Sequence, residues 1–379
     1  MSERRGFDVI VVGLGAMGSA TLFHLARRGA RVLGLEQFGR GHDRGSSHGD
    51  SRIIRETYFE HPLYVPLVQR AHSLWRELEK VSGTALMTIT GGLMIGPADG
   101  SVVTGTLRSA REHDLPHEIL GSGELGQRFR PFDVAGDVVT VFDPRAGYLD
   151  ADACNRAHID GARASGAVTH FDERVIEWSA GTEGIRVQTS SSEYFADRLV
   201  LSAGPWSGEL TAELELPLTI ERQSVFWLDP ADADYEPGRF PIYAYEYKPG
   251  HICYGFPRLA HGVKASVMHS GEIVDRPEAV RRDVSDDELE SLRNALRPVL
   301  PRLAGAPVRE RGTCIFTNTP DHDFIVDWHP QHSNVLISSP CSGHGFKFAS
   351  AIGELQADML TDRPLRFDLA PFRLGRFAR

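Results

Sequence analysis

The sequence predicts an α/β fold: a Rossmann-like domain built from discontinuous segments, plus an α+β domain with a mainly antiparallel sheet. Three observations lead there. The chain opens with a strand, a glycine turn, a helix and a second strand. Its middle is a close succession of strands. A strand, a glycine-rich turn and a helix return near the end. At 379 residues the chain is also too long for one simple core.

The opening unit reads Phe7-Asp-Val-Ile-Val-Val-Gly-Leu-Gly-Ala-Met-Gly18. Residues 7–12 are an apolar run of the kind that forms a buried parallel strand. Gly13 permits the tight turn, Gly15 lets backbone approach a pyrophosphate, and Gly18 lets the helix at 16–29 pack closely on the sheet. The helix N-terminus offers free N–H groups and a positive dipole end to phosphate. Residues 31–36 form the second strand. Glu36 at its end is placed to accept both hydroxyls of an adenosine ribose, and a carboxylate there disfavours a 2′-phosphate. The unit therefore points to a bound dinucleotide, with NADP the weakest candidate.

A polar, glycine-rich loop follows at 39–50, too polar for core and too rich in hydrogen-bond donors for a plain linker. A helix at 62–82 carries Leu67, Val68, Ala71, Leu74, Trp75 and Leu78 at helical spacing. Residues 86–95 read as strand, turn and strand, and 150–164 as helix. Strands are expected at 168–176, 185–189 and 194–202, the last ending in Ala203-Gly-Pro-Trp206. Between 218 and 268 the strands 224–228, 242–247, 252–256 and 263–268 follow so closely that an antiparallel sheet is expected. A helix at 286–300, a strand at 334–338 and a final helix through Leu360 complete the pattern. Such interleaving favours a flavoprotein over a nicotinamide dehydrogenase, which usually keeps its Rossmann domain in one block.

The net charge of −10 is spread without a basic block, which argues against nucleic acid or an anionic membrane as partner. No apolar run approaches the roughly 20 residues of a membrane span. The first strand begins too early to leave room for a signal peptide. Cys154, Cys253, Cys314 and Cys341 have neither zinc-like nor CxxC spacing. A cytoplasmic protein with reduced thiols is expected.

Three further blocks are recognisable: Ser47-His-Gly-Asp-Ser-Arg-Ile-Ile-Arg55, Thr313-Cys-Ile-Phe-Thr-Asn-Thr-Pro-Asp-His-Asp-Phe-Ile-Val-Asp327 and Ser342-Gly-His-Gly-Phe-Lys347. Together they resemble the monomeric sarcosine oxidase and N-methyltryptophan oxidase family, whose members carry FAD attached to a cysteine. The resemblance runs from the first strand to Phe367-Asp-Leu-Ala-Pro-Phe-Arg-Leu-Gly-Arg-Phe377 and is loose only in the antiparallel middle. It implies an FAD-binding domain from 1–85, 150–217 and 311–379, with a substrate domain from 86–149 and 218–310. It implies that Cys314 bonds to the isoalloxazine, where sulfur in place of a ring-methyl hydrogen makes a better electron acceptor. Cys341, near the last glycine-rich turn, approaches the ring without bonding. His48, Ser51 and Arg52 are all read as part of the glycine-rich loop; the resemblance places His48 and Arg52 beside the ring and Ser51 near the cofactor, where a fixed positive charge at Arg52 favours electron acceptance. Gly343, Gly345, Phe346 and Lys347 form the turn facing the ring, with His344 either pointing into the site or capping the turn. Val175, Gly204 and Trp206 complete the cofactor set.

By the same resemblance Arg55 and Lys347 bind the substrate carboxylate: a planar guanidinium binds it bidentately and an ammonium adds a point charge. Lys264 is similar to the family's lysine over the flavin, where a cation helps O2 accept electrons by stabilising superoxide. Four residues on, where the family commonly has a histidine, this chain has Met268. Strand alternation turns His269 to the opposite face, unless a bulge re-aims it. That substitution leaves the substrate side chain open. Tyr243, Tyr245 and Tyr247 share one sheet face; whether they line a pocket, with Tyr245 as a substrate contact, or cover the sheet stays open. Asp321, His322 and Asp323 look like a metal cluster, but the family segment accounts for them without metal. The expected activity is oxidation of a secondary α-amino acid, N-methyl or cyclic, with O2 reduced to hydrogen peroxide. Pipecolate, fructosyl amino acids and an acceptor other than O2 remain alternatives. A monomer is expected, since the family includes monomers and no heptad repeat is present.

Overall fold

The computed structural model describes residues 6–339 and 342–377. The opening strand Phe7–Val12 sits inside an eight-stranded sheet, its last four residues buried. It pairs in parallel with Val32–Leu35 on one side and Glu193–Leu201 on the other. Val168–His170 and His332–Ser339 extend the parallel set outward in the two directions. Period-two alternation divides the strand between two cores. Val9 and Val11 join the cluster that also holds apolar residues of the helices Ala16–Arg27 and Ala349–Leu360. Ile10 and Val12 join a second cluster with Leu33, Leu35, Val187 and Leu199. The fold is thus α/β, and its Rossmann-like sheet is assembled from three separated stretches of chain.

The glycine turn is sterically compulsory. Gly13 has φ +87°, and a Cβ there would lie 2.5 Å from the Ser202 carbonyl oxygen. A Cβ on Gly18 would lie 1.8 Å from the carbonyl oxygen of Gly13, so the helix docks on the turn through bare backbone.

The second sheet has nine strands and draws on the middle of the chain. It is antiparallel except where Ile242–Lys248 pairs in parallel with Gly92–Pro97. Its principal core gathers Tyr243, Tyr245, Cys253, Phe132 and Phe240 with apolar residues of the helix Asp286–Leu296. A small three-stranded sheet joins Ser51–Ile54, Gly147–Asp150 and Met87–Ile89.

Four expectations need correction. The stretch 168–176 is two strands, Val168–His170 and Val175–Gly181, at different edges of the first sheet. The chain turns between them through Asp172 at φ +57°. Ser51 and Arg52 belong to a strand rather than the glycine-rich loop, because the carboxyl end of that loop pairs with Gly147–Asp150. The strand Val308–Asn318, which carries Cys314, was not expected at all. It pairs along Thr219–Leu228 in the antiparallel sheet, so the division at residue 311 cuts through a strand of that sheet.

Candidate active site

One cavity of about 790 Å³ is lined by residues of both large sheets and of the glycine-rich loop. At its dinucleotide end stand Gly13, Gly15, Glu36, Val175, Gly204 and Trp206. Gly18 is not on the wall; its closeness to Gly13 makes it a packing residue. The Glu36 carboxylate is fixed by the backbone N–H groups of Leu14 (2.9 Å) and Phe38 (3.1 Å), and still faces the cavity. Ser47 is a wall residue that the sequence reading passed over: its Oγ accepts from the Ala16 N–H at the helix N-terminus (2.9 Å) and sits 3.1 Å from where a Gly15 Cβ would be.

The fit to a large polar cofactor can be tested on unsatisfied groups. Buried polar atoms are rarely left without a partner. Yet His48 Nε2, Ser51 Oγ, Asn155 Oδ1, Ser202 Oγ and Thr317 Oγ1 are buried, unpartnered and carried by residues of this wall. Together with a glycine cradle, a helix N-terminus and the Glu36 carboxylate on the same wall, these residues fit FAD.

Around the middle of the cavity lie the expected charged groups. The Arg52 guanidinium donates to the backbone carbonyls of Ser51 (2.8 Å), Ser46 (2.9 Å) and His48 (2.6 Å), and comes 3.6 Å from Cys314 Sγ. Among the described residues no carboxylate pairs with it. Cys314 is a free thiol on the wall. Burial, and then the charge of Arg52, bring His48 down to about 4, so its imidazole is neutral. Lys264 is 4% exposed and donates to the carbonyls of Gly49 and Ser51. Its ammonium lies 5.5 Å from the Trp227 ring and 5.3 Å from the Phe256 ring. Burial lowers Lys264 to about 7, with Arg52 adding to the effect.

Arg55 and Lys347 are both buried on the cavity wall. The Arg55 guanidinium pairs with Glu60, donates to the Thr57 carbonyl (3.1 Å) and lies against the rings of Tyr58 (4.3 Å) and Phe59 (4.0 Å). Lys347 Nζ donates to the His344 carbonyl (2.8 Å). Burial lowers it to about 7, and the charge of Arg55 pushes in the same direction. His344 Nε2 lies 3.0 Å from the His322 carbonyl, so that nitrogen carries the proton and Nδ1 accepts from the Tyr58 hydroxyl at 2.5 Å. His344 therefore lines the cavity and also fixes the turn that holds Lys347. Gly343, Gly345 and Phe346 are on the wall beside it.

Met268 lines the cavity, and His269 does not. The strand Gly262–Val267 ends before them, and His269, at φ +50°, turns away to Glu221 at 3.1 Å. Tyr245 is not a wall residue. Its side chain shares the principal core of the antiparallel sheet with Tyr243, and the residue between them, Ala244, faces the cavity instead. Asp321 is taken by Arg376 and Asp323 by the Tyr64 hydroxyl. No cluster of three or more His, Cys, Asp or Glu residues able to hold a metal occurs among the described residues. Cys341 lies outside them. Glu60 and Phe59 were missed because an acidic residue and an aromatic in a short loop carry no periodic or motif signal.

The model of the family described as FAD dependent oxidoreductase matches residues 8–359. A monomeric sarcosine oxidase from Streptomyces avermitilis is 41% identical over 359 residues, covering 93% of this chain and 93% of that protein. An N-methyl-L-tryptophan oxidase from Salmonella agona is 34% identical over 375 residues, covering 98% and 99%. The fold is shared with the L-proline dehydrogenase of P. horikoshii, at TM-score 0.84 and 18% identity, with 98% of each chain covered. On these grounds the chain is an FAD-dependent oxidoreductase and belongs to the family of monomeric sarcosine oxidase and N-methyl-L-tryptophan oxidase.

Proposed function

We propose that the protein oxidises the C–N bond of a secondary α-amino acid, N-methyl or cyclic, and passes the electrons to O2. For an N-methyl substrate the products are the demethylated amino acid, formaldehyde from hydrolysis of the imine, and hydrogen peroxide. The observation that carries this reading is the pair of buried cations, Arg55 and Lys347, on the wall of a cavity fit for FAD. It agrees with the names of the sarcosine and N-methyl-L-tryptophan oxidases to which the chain is similar.

FAD, when bound, supplies the two-electron acceptor and the means of reducing O2. The residues supply the rest. Arg55 offers a carboxylate its planar N–H fork, held in place from behind by Glu60 and by two rings. Lys347 gains an anion that offsets its repulsion from Arg55. The amine is bound in its neutral form, with its lone pair available. Arg52 and Lys264 place positive charge where electrons arrive, and burial enlarges the effect of both. We place a covalent bond from Cys314 Sγ to the flavin in the same proposal. Its support is a free thiol on the cavity wall, 3.6 Å from the Arg52 guanidinium, which among the described residues has no carboxylate partner. The division of the chain into cofactor and substrate domains, with the Cys314 strand moved to the latter, also belongs here, as does the expectation of a cytoplasmic monomer.

The test is an anaerobic titration of the purified yellow protein with sarcosine, N-methyltryptophan, pipecolate and a fructosyl amino acid, followed by air. Bleaching by a secondary amino acid and peroxide on re-oxidation are expected. No bleaching by any of them removes the proposed activity; bleaching without peroxide removes O2 as acceptor.

A further inference from the structure

The antiparallel sheet turns one face to the cavity, and its strand order ranks the wall residues. Cys314, Trp227, Lys264, Tyr254 and Ala244 lie on five successive strands. At about 4.8 Å per strand, Tyr254 and Ala244 stand beyond Lys264 on the side away from Cys314. Both belong to one apolar cluster, whose other residues on the cavity wall are Ile53, Phe59, Ile252 and Phe256. The cluster begins at the carboxylate site, since the Phe59 ring is 4.0 Å from the Arg55 guanidinium. Only one of the six, Tyr254, has a polar side-chain atom. Ala244 is the smallest of them, and the large side chains flanking it, Tyr243 and Tyr245, are committed to the other face.

We infer that the preferred substrate is an N-methyl α-amino acid with a bulky apolar side chain, received against Phe59, Tyr254 and Ala244, and that Ala244 sets this preference. The inference rests on the proposed function. Sarcosine has only hydrogen to offer this patch and leaves it uncovered. A fructosyl amino acid brings several hydroxyls to six side chains that carry one polar atom between them, and buried hydroxyls without partners are costly. A branched or aromatic side chain removed from water here raises kcat/KM by roughly 10- to 150-fold over sarcosine. Added volume at position 244 occupies the space that side chain needs.

The experiment compares kcat/KM of the holoenzyme for N-methyl-L-leucine, N-methyl-L-phenylalanine, sarcosine and fructosyl-glycine, in the wild type and in Ala244→Met and Ala244→Val. Flavin absorbance confirms that each variant is loaded. The expected result is at least about a tenfold preference for the two bulky substrates over sarcosine, with fructosyl-glycine last. The ratio of N-methyl-L-phenylalanine to sarcosine should fall about tenfold in Ala244→Met and by less in Ala244→Val. A wild type that prefers sarcosine or fructosyl-glycine, while still bleached by them, overturns this inference and leaves the oxidase reading standing. An unchanged ratio in both variants overturns the role of Ala244. Absence of bleaching by all four overturns the oxidase reading and this inference with it.

Discussion

Binding of a plain carboxylate should depend on pH through Lys347. Its Nζ is buried, its hydrogen bond goes to the His344 carbonyl at 2.8 Å, and burial with help from Arg55 holds it near 7. A carboxylate that binds only the charged form has a constant Kd well below pH 7 and loses affinity tenfold per unit above it. It is thus about 50-fold weaker at pH 9 than at pH 7. Sustaining that slope to pH 9 requires the bound anion to raise Lys347 by two units, about 2.7 kcal/mol of coupling, which a charge-assisted hydrogen bond in a dry site can supply. The groups facing Lys347 do not imitate the effect. Burial holds His344 near 4. Burial pushes Glu60 up, but Arg55, His344 and Lys347 more than reverse this and leave it below the usual carboxylate range. A guanidinium does not titrate in this range. Lys264 also stands near 7, so it is the control. The assay is the flavin difference spectrum on titration with isovalerate from pH 6 to 9, in the wild type, Lys347→Met and Lys264→Met. The slope should vanish in Lys347→Met and survive in Lys264→Met. A flat wild-type profile, or a slope that persists without Lys347, refutes the assignment.

Four other outcomes follow from the same geometry. Arg55→Met removes the bidentate half of the clamp and leaves the half-buried Glu60 without its partner; kcat/KM for amino acids should fall by about 10²- to 10³-fold, and much less for secondary amines without a carboxylate. Equal losses would take Arg55 out of carboxylate binding. Cys314→Ala should release flavin into the supernatant of an acid precipitation that leaves the wild-type pellet yellow, and a yellow variant pellet would move the attachment elsewhere. Lys264→Met should slow re-oxidation of the reduced enzyme by about 10²- to 10³-fold while anaerobic bleaching changes far less; comparable slowing of both steps would argue against a role at the O2 stage. Gly18→Ala puts a methyl group 1.8 Å from the Gly13 oxygen, so a loss of about 1–3 kcal/mol in stability and weaker flavin retention are expected, and an unchanged thermal midpoint would mean that the helix shifts freely.

The dinucleotide half of the site was readable because it is built from backbone. Gly13 must hold φ +87° for the turn, and a Cβ on Gly18 would lie 1.8 Å from the Gly13 oxygen five residues earlier, so the demand is written locally as glycine. The catalytic half is built from side chains that converge from separate strands, and there the sequence supplies identities without orientation. Arg55 and Lys347 were recognised inside contiguous blocks, but Glu60, which holds Arg55, lies in a loop with no pattern. The Cys314 strand escaped notice because it opens Val-Arg-Glu-Arg-Gly, charged and largely exposed, and is buried only from Thr313 onward. Tyr245 shows the limit most clearly. Its alternation with Tyr243 and Tyr247 was correct, yet alternation alone does not say which face is the cavity. Only the pairing of Ile242–Lys248 between Gly92–Pro97 and His251–Leu259 settles it, sending the tyrosines to one core and leaving Ala244 on the wall. Of the two readings open to the sequence, the one with Tyr245 in the pocket put a large residue where the wall has the small Ala244, and the room this leaves is what a bulky substrate side chain would fill.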